Sequence, residues 1–359
     1  MLPVVKALRR VRHLKTTLAV TGQHREMLDQ VFSAFDELPD IDLNLMVPNQ
    51  TLAGITANVI LRMTDVLNDL KPDVILVHGD TTTAMATAIA GFYCHCRVGH
   101  VEAGLRTHDL QRPWPEEFNR VTIDAIADYL FAPTASARDN LRSEYNQRGK
   151  ILVTGNTGID ALLYISGAID RDTVLQKKLA ARYDYLDLNR NLILVTGHRR
   201  ESFGEGFQRI CDGLISIAER PDVEVLYPVH LNPAVRTVIS DRLNGRLNIR
   251  LIEPIEYFDM VYLMKRAKIL VTDSGGIQEE GPALGRPVFV MRDVTERPEA
   301  LSTGVVKLIG TDPVRMRAEV DLLLDDGEGY QSLARPVFPY GDGTAAIQIA
   351  EFIGKELTL

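Results

Sequence analysis

The sequence predicts an α/β protein built from two doubly wound parallel sheets. Short runs rich in β-branched residues recur along the chain, each bounded by Gly, Pro or Asp and followed by a helical pattern, which is typical of parallel βαβ units. This pattern stops once and then restarts. Because 359 residues also exceed the size at which a single core usually stops growing, we expect two domains.

The predicted strands form two series. The first comprises residues 18–21, 73–78, 97–101, 129–132 and 150–154, and the second comprises 191–196, 224–229, 248–252, 268–272, 286–291 and 305–309. Between the series, residues 182–190 are polar and aperiodic, which indicates a linker. We therefore predict an N-terminal α/β domain at 1–187, a C-terminal α/β domain at 188–343 and a final amphipathic helix at 344–359, whose packing partner the sequence leaves open.

The amino end departs from the expected pattern. Residues 2–11 form an amphipathic helical pattern without a preceding strand, although a parallel sheet normally begins with one. In open α/β sheets the loop after the first strand commonly carries phosphate contacts. We therefore expect an upstream strand and loop to be missing.

Composition excludes several classes of protein. A net charge of −8 argues against a broad surface for nucleic acid or anionic membrane. No apolar run approaches the roughly 20 residues of a membrane span, and no signal segment opens the chain. Three unevenly spaced cysteines predict a reducing, cytoplasmic setting. Two of them flank His95, but the triplet lacks a second ligand pair at zinc spacing, so no metal is predicted.

Three acidic residues in the first predicted domain are candidates for acid/base chemistry. Ligands of open α/β sheets bind beyond the carboxyl ends of the strands, where Asp80 and Glu102 follow two predicted strands and Glu116 opens a helix after a proline-rich turn. Each has an ordinary structural alternative. Asp80 or the next threonine suits a helix N-cap, Glu102 could pair with Arg106, and Glu116 suits the helix dipole.

The second predicted domain begins with a strand that ends in a histidine. His198 follows Gly197 and precedes Arg199 and Arg200. Beside permanent positive charge, a histidine is suited to an anionic ligand and to a shifted pKa. We therefore predict that His198 faces a bound anion.

The most specific signal is the helix start after the predicted strand 268–272. Ser274, Gly275 and Gly276 open this helix, and glycines there let backbone N–H groups reach phosphate oxygens. Glu280 lies about one turn further, where a carboxylate could accept both hydroxyls of a ribose. Arg297 follows the next strand and could contact the same anion. A nucleoside diphosphate fits this pattern.

Other common motifs are absent from the sequence. No P-loop GKS or GKT, no complete G-x-G-x-x-G after a strand and no HExxH occurs, so kinase, dehydrogenase and zincin functions lack their main supports. The residues indicate a bound diphosphate together with acid/base chemistry.

Taken together, the ordered motifs strongly resemble the non-hydrolysing UDP-GlcNAc 2-epimerases over nearly the whole chain. Each motif alone is weak, but their joint order and spacing are highly specific. The motifs are GDTTT (79–83), HVEAGLRT (100–107), PWPEEFNR (113–120), TGHRRESFG (196–204), YPVHLNP (227–233), TDSGGIQEEGPALGRPV (272–288), ERPEA (296–300) and YGDG (340–343).

The resemblance implies a GT-B fold with an active site in the cleft between two domains, a homodimer, and interconversion of UDP-GlcNAc and UDP-ManNAc without a metal or nicotinamide cofactor. Carried over by motif position, the implied UDP ligands are Ser274, Gly275, Gly276, Glu280, Arg297 and His198. The residues implied to surround the reacting sugar are Asp80, Glu102, Glu116 and His198. The product would serve cell-envelope polysaccharide synthesis.

The family mechanism eliminates UDP to leave a 2-acetamidoglucal and then adds UDP back, with the proton delivered to the opposite face. Positive groups, here His198 and Arg297, would stabilise the departing diphosphate. The proton transfers need more than one acid/base group, for which Asp80, Glu102 and Glu116 are the candidates. The sequence does not assign a carboxylate to each face.

The chain also departs from the family pattern. The family has a strand and a GTRPE-type loop before the position of residue 1, and often Gln and Phe near the uracil where this chain has Ile255 and Met260. Some relatives bind an activating UDP-GlcNAc near the loop corresponding to residues 22–26. A hydrolysing epimerase, a GT-B glycosyltransferase and a nucleotide-sugar binding protein without turnover remain alternatives.

Overall fold

The computed structural model describes the chain except for residues 23–30, 46–49, 146–147, 198, 200–202, 296 and 359. By internal contacts the chain forms two compact units. Unit 1 comprises Met1–Ala161 and Tyr340–Leu359, and unit 2 comprises Leu162–Pro339. Both units contain parallel strands and helices, which confirms the predicted α/β class. Among the described residues no helix is long and apolar enough to cross a membrane.

Unit 1 contains a two-stranded and a four-stranded parallel sheet. The small sheet pairs β1 (Ala19–Val20) with β2 (Ile41–Asp42). The larger sheet has the order β3-β4-β5-β6, with β3 at Val74–His78, β4 at Arg97–Val101, β5 at Tyr129–Ala132 and β6 at Lys150–Val153. Unit 1 has helices at Leu2–Arg9, Leu52–Leu70, Thr82–Tyr93, Glu116–Ile126, Ala135–Ser143 and Ala345–Glu356. A further helix, Thr157–Arg171, begins in unit 1 and continues into unit 2.

The helix Thr82–Tyr93 shows how small residues build the core of unit 1. Its alanines at 84, 86, 88 and 90 are buried, and a Cβ on Gly91 would approach the Ile75 side chain to 2.2 Å. The helix therefore lies close against β3. This packing holds the helix against the sheet, and the helix starts a few residues after the carboxyl end of β3.

The C-terminal helix Ala345–Glu356 packs on unit 1, which answers the question that the sequence left open. Phe352 presents its ring to those of Tyr129 and Phe131 at centroid distances of 5.3 and 5.7 Å. Its N-terminus is held by the Asp160 carboxylate, which accepts the Ala346 N–H at 2.8 Å. Apolar burial and a charge at the positive end of the helix dipole together hold the helix in place.

Unit 2 contains a six-stranded parallel sheet with the order β12-β11-β10-β7-β8-β9. The strands are β7 (Asn191–Thr196), β8 (Val223–Pro228), β9 (Ile249–Ile252), β10 (Ile269–Thr272), β11 (Val288–Val290) and β12 (Val306–Leu308). The helices are Thr173–Arg182, Glu205–Ala218, Pro233–Leu243, Tyr257–Arg266, Gly275–Ala283, Pro298–Ser302, Pro313–Asp325 and Gly327–Leu333.

This order is that of a doubly wound sheet whose connections reverse direction between β7 and β10. Ligands of such sheets bind at the reversal, beyond the carboxyl ends of the two strands. In the parallel register Thr272 of β10 is paired with Thr196 of β7. The two segments that the sequence singled out, after residues 196 and 272, therefore leave the sheet side by side.

The contacts divide the chain earlier than the predicted domain boundary at 187/188. The predicted linker contacts unit 2, because Arg182 and Tyr183 bind the Asp259 carboxylate at 2.5 and 2.8 Å. Arg266 also donates to the carbonyl of Leu186 at 3.0 Å. Residues 162–187 accordingly group with the second sheet by contacts, while the domain bounds drawn from the sequence stay a prediction.

Candidate active site

Asp80 follows β3 and forms an ion pair instead of capping the next helix. The N-cap is Thr81, whose hydroxyl accepts the Ala84 N–H at 3.1 Å. The Asp80 carboxylate lies 2.5 Å from an amino group of Arg120, and the Asp80 carbonyl accepts from the Asn119 amide at 2.8 Å. Helix Glu116–Ile126 thus holds Asp80 while its side chain stays 30% exposed.

Glu102 follows β4 in a strained backbone conformation. Its φ is +72°, a left-handed value that costs a non-glycine residue about 1 to 3 kcal/mol and is common at functional sites. One carboxylate oxygen accepts from the Asn156 amide at 3.3 Å, and the other lies 3.8 Å from Nε2 of His78. Glu102 therefore lies where β3, β4 and β6 end, next to the loop that carries Asp80.

His78 is a neutral neighbour of Glu102 at neutral pH. Loss of water around its imidazole lowers the His78 pKa well below the usual range. Its Nε2 is within hydrogen-bond distance of the Thr157 hydroxyl, at 3.5 Å, but not of the Glu102 carboxylate. It does not supply a counter-charge to the carboxylate.

Two adjacent glutamates have different environments. Glu116 is the first residue of its helix and is half-buried. Glu117 is buried, accepts the N–H groups of Thr107 and His108 at 2.9 Å each, and pairs with Arg120 at 3.2 Å. Glu117 therefore holds the preceding loop, whereas the predicted acid/base role of Glu116 stays a prediction.

Sequence reasoning missed several polar residues around these carboxylates. Asn156 comes soon after β6, so the strand-end rule that selected Asp80 also applies to it. Its backbone is held by a close glycine contact, since a Cβ on Gly155 would lie 2.9 Å from Cα of Gly341. Arg120 closes the motif PWPEEFNR (113–120), but the motif alone does not show that its side chain faces Asp80.

At the reversal point of unit 2, β7 and β10 are joined by side chains as well as by the sheet. The hydroxyls of Thr196 and Thr272 are 2.6 Å apart, and the Thr272 hydroxyl also accepts the Ser274 N–H at 2.9 Å. Asp273, which is fully buried, accepts the Arg199 N–H at 2.8 Å. These bonds fix the backbone before Gly275. The predicted site residue His198 lies outside the described residues.

Two guanidinium groups lie at the N-terminus of helix Gly275–Ala283. A Cβ on Gly275 would be 3.4 Å from the Arg297 guanidinium and 3.6 Å from that of Arg199. Arg297 is held in this place by Glu279, at 2.6 Å. Together with the positive end of the helix dipole, the two guanidinium groups concentrate positive charge at the start of the helix. The arrangement therefore suits a phosphate group.

Ser274 and Gly276 complete the predicted phosphate-binding segment. Ser274 is the N-cap residue of the helix, and a Cβ on Gly276 would meet only the Ser274 hydroxyl, at 3.8 Å. Among the described residues, no atom therefore requires a glycine at 276. Its exposed backbone is open to the approach of a ligand.

Glu280 carries a half-buried carboxyl group near the next turn of this helix. It accepts a hydrogen bond of 2.8 Å from the Tyr257 hydroxyl. Burial raises the Glu280 pKa from 4.5 to about 7; the Tyr257 bond opposes this rise and neighbouring Glu279 adds to it. Burial also raises the Tyr257 pKa. The Glu280 carboxyl therefore changes its charge near neutral pH.

Two α/β units with parallel sheets, one of them wound in both directions from a central reversal point, define an enzyme of the GT-B-like class. The crystal structure of UDP-GlcNAc 2-epimerase from Neisseria meningitidis bound to UDP-GlcNAc is similar to the chain with a TM-score of 0.93 and 45% identity, covering 99% of this chain and 96% of that one.

Sequence comparison gives the same relationship. The model of the family described as UDP-N-acetylglucosamine 2-epimerase matches residues 6–354. UDP-N-acetylglucosamine 2-epimerases from Salmonella typhimurium and Escherichia coli are 51% and 50% identical over 352 residues, which cover 98% of this chain and 94% of each relative. The chain therefore belongs to the UDP-N-acetylglucosamine 2-epimerase family, and it is an isomerase.

Proposed function

We propose that the chain interconverts UDP-GlcNAc and UDP-ManNAc by eliminating UDP and adding it back. The observation that carries this proposal is the pair of arginines at the N-terminus of helix Gly275–Ala283. Arg297 and Arg199 lie next to Gly275, so they are suited to stabilise the negative charge that develops on a departing diphosphate. The relative from Neisseria meningitidis, which was solved with UDP-GlcNAc bound, supports this substrate.

The reaction begins with loss of the diphosphate, because the C2–H bond is scarcely acidic. The C1–O bond breaks with its electrons passing to UDP, a carboxylate takes the C2 proton, and a double bond forms between C1 and C2. Addition of UDP to C1 and of a proton to the opposite face of C2 then gives the epimer. We assign the proton transfers to Asp80, Glu102 and Glu116, and charge stabilisation to Arg297, Arg199 and His198.

The remaining UDP contacts follow from unit 2. Backbone N–H groups after Ser274, at Gly275 and Gly276, would bind phosphate oxygens, and the Glu280 carboxylate would accept the ribose hydroxyls. The Tyr257 hydroxyl would keep that carboxylate oriented, because it donates to one of its oxygens.

We further propose a cytoplasmic homodimer that supplies cell-envelope polysaccharide synthesis. The strong family resemblance supports this assembly and this setting. Light scattering on the purified chain tests the dimer directly, because a mass near 80 kDa is expected for two copies of a 40.0 kDa chain. A monomeric mass at micromolar concentration would rule the dimer out.

The test of the reaction is NMR in deuterated water with UDP-GlcNAc. We expect exchange of the C2 proton and the appearance of UDP-ManNAc. Asp80→Asn should abolish both signals and leave UDP affinity, measured by calorimetry, within about twofold. Asp139→Asn is the matched control, because Asp139 is exposed and pairs only with its neighbour Arg138 among the contacts described for it. Free N-acetylmannosamine as the product would indicate a hydrolysing epimerase, and UDP binding without turnover would refute the proposal.

A further inference from the structure

A buried ion pair lies behind the loops that carry Asp80 and Glu102. His100, on β4, and Asp124, on the helix Glu116–Ile126, are both almost fully buried. His100 Nδ1 lies 2.5 Å from an Asp124 carboxylate oxygen. Burial of two charged groups costs several kcal/mol per ion unless other polar groups compensate, so apolar residues of the same size would often be as stable. A role beyond stability would account for this pair.

The partners of His100 define its protonation. Nδ1 faces the Asp124 carboxylate, and Nε2 lies 2.9 Å from the Gly79 carbonyl oxygen. Because a carboxylate and a carbonyl both accept hydrogen bonds, this geometry fits an imidazolium, in which both ring nitrogens donate. Burial raises the Asp124 pKa, but the charges and hydrogen bonds of His100 and Arg106 outweigh this effect and leave it below its ordinary value. Asp124 is therefore a carboxylate.

This pair binds the backbone of both catalytic loops. The Gly79 carbonyl, which accepts from His100, directly precedes Asp80. The second Asp124 oxygen accepts the Gly104 N–H at 3.1 Å, two residues after Glu102. Both bonded glycines have positive φ, +67° and +87°, a conformation that side chains disfavour and that surrounding contacts must maintain.

The network continues to the surface and balances its charge. Arg106 lies 2.7 Å from Asp124 and 2.6 Å from Glu144. Glu144 is the member that reaches solvent, with 32% of its side chain exposed. Two cations and two carboxylates thus alternate, which compensates the burial of each charge.

We propose that His100 and Asp124 act as positioning residues that hold the Asp80 and Glu102 loops at the mutual distance required by the reaction proposed above. They act through the backbone at Gly79 and Gly104 and do not touch the substrate. The inference rests on the proposed function, since it assigns the two loops to one acid/base reaction.

Two conservative variants separate the two bonds of His100. His100→Asn keeps a donor at the Nδ1 position for Asp124 and loses the bond to Gly79, whereas His100→Gln keeps a donor near the Nε2 position for Gly79. We expect each variant to lower kcat about 10- to 100-fold, the scale of loss for a reacting group displaced by about 1 Å. The dissociation constant of UDP should stay within about twofold, because the proposed UDP ligands lie in unit 2.

The controls distinguish positioning from loss of folding and from failure of the proposed function. His95→Asn changes an exposed histidine of the same unit and should keep wild-type kcat and thermal unfolding. Folded His100 variants with kcat within about twofold of wild type would overturn the inference. If the variants do not fold, ¹⁵N–¹H NMR of the wild-type histidines decides, since a His100 ring with a single bound proton contradicts the network. A wild-type chain inactive in the NMR assay refutes the proposed function, and the ring protonation still tests the network separately.

Discussion

Replacing Glu280 by glutamine should remove a pH-dependent loss of stability. The residue is half-buried, and the partial loss of water around its carboxyl group raises the pKa from 4.5 to about 7. The protein without ligand therefore prefers the neutral acid to the carboxylate. Glutamine has nearly the same shape and is neutral at every pH, so the comparison isolates the cost of the buried charge.

The size of the effect follows from the pKa. Because one pKa unit corresponds to 1.36 kcal/mol, the rise gives a cost of about 3 kcal/mol when Glu280 is ionised. The sign follows from proton binding. Between pH 4.5 and about 7 the folded chain holds the Glu280 proton more tightly than the unfolded chain does. The protonated carboxyl group therefore contributes its full stability below pH 4.5, and this contribution is lost as the pH rises through 7.

Urea unfolding at pH 5, 6, 7 and 8 measures this difference, with the free energy of wild type subtracted from that of Glu280→Gln at each pH. We expect the difference to move in favour of the variant by about 2 to 3 kcal/mol between pH 5 and pH 8. Tyr257→Phe removes the hydrogen bond that favours the carboxylate, so in that variant the loss should extend to higher pH. A difference that stays constant from pH 5 to pH 8 would refute the reasoning.

Three further substitutions test separate parts of the structure. Gly275→Ala adds a methyl group 3.4 Å from the Arg297 guanidinium, an ordinary contact, so thermal unfolding should be unchanged. Calorimetry should show UDP binding weakened about 10-fold or more, which is about 1.4 kcal/mol of binding free energy. Unchanged binding would remove Gly275 from the phosphate site. Asn156→Ala removes a hydrogen bond to Glu102. It should lower kcat about 10-fold, a rise of about 1.4 kcal/mol in the activation free energy, and leave UDP affinity unchanged. A loss of UDP affinity as large as the loss of kcat would contradict a role of Asn156 at Glu102. Phe352→Ala removes a ring from the contact of the C-terminal helix with two aromatic side chains and should cost about 3 kcal/mol in urea unfolding; a loss below 1 kcal/mol would show that the helix is loosely held.

The strands could be predicted because each is a short local pattern. The run predicted at 191–196 is found as β7, and those predicted at 97–101 and 129–132 are found as β4 and β5. A β-branched run bounded by turn residues specifies an extended segment within a few residues. The helix start at Gly275 could be predicted for the same reason, since glycines after a strand are a local signal.

The environment of each candidate residue required the folded chain. The sequence allowed Asp80 to be a helix cap, but Thr81 takes that place and Asp80 pairs with Arg120. It also allowed Glu102 to pair with Arg106, but Arg106 binds Asp124 and Glu144. These choices depend on which side chains the sheet and its helices bring within about 3 Å of each other, the length of a hydrogen bond.

The sequence by itself determined the α/β class, the positions of most strands and the residue types at the strand ends, because these depend on neighbours a few residues apart. The tertiary structure decided which of those ends meet. β7 lies beside β10 in the sheet, and the bond between His100 and Asp124 joins residues 24 apart. Such pairings depend on strand order and register, which arise from burying the whole core at once and are not encoded in any single segment.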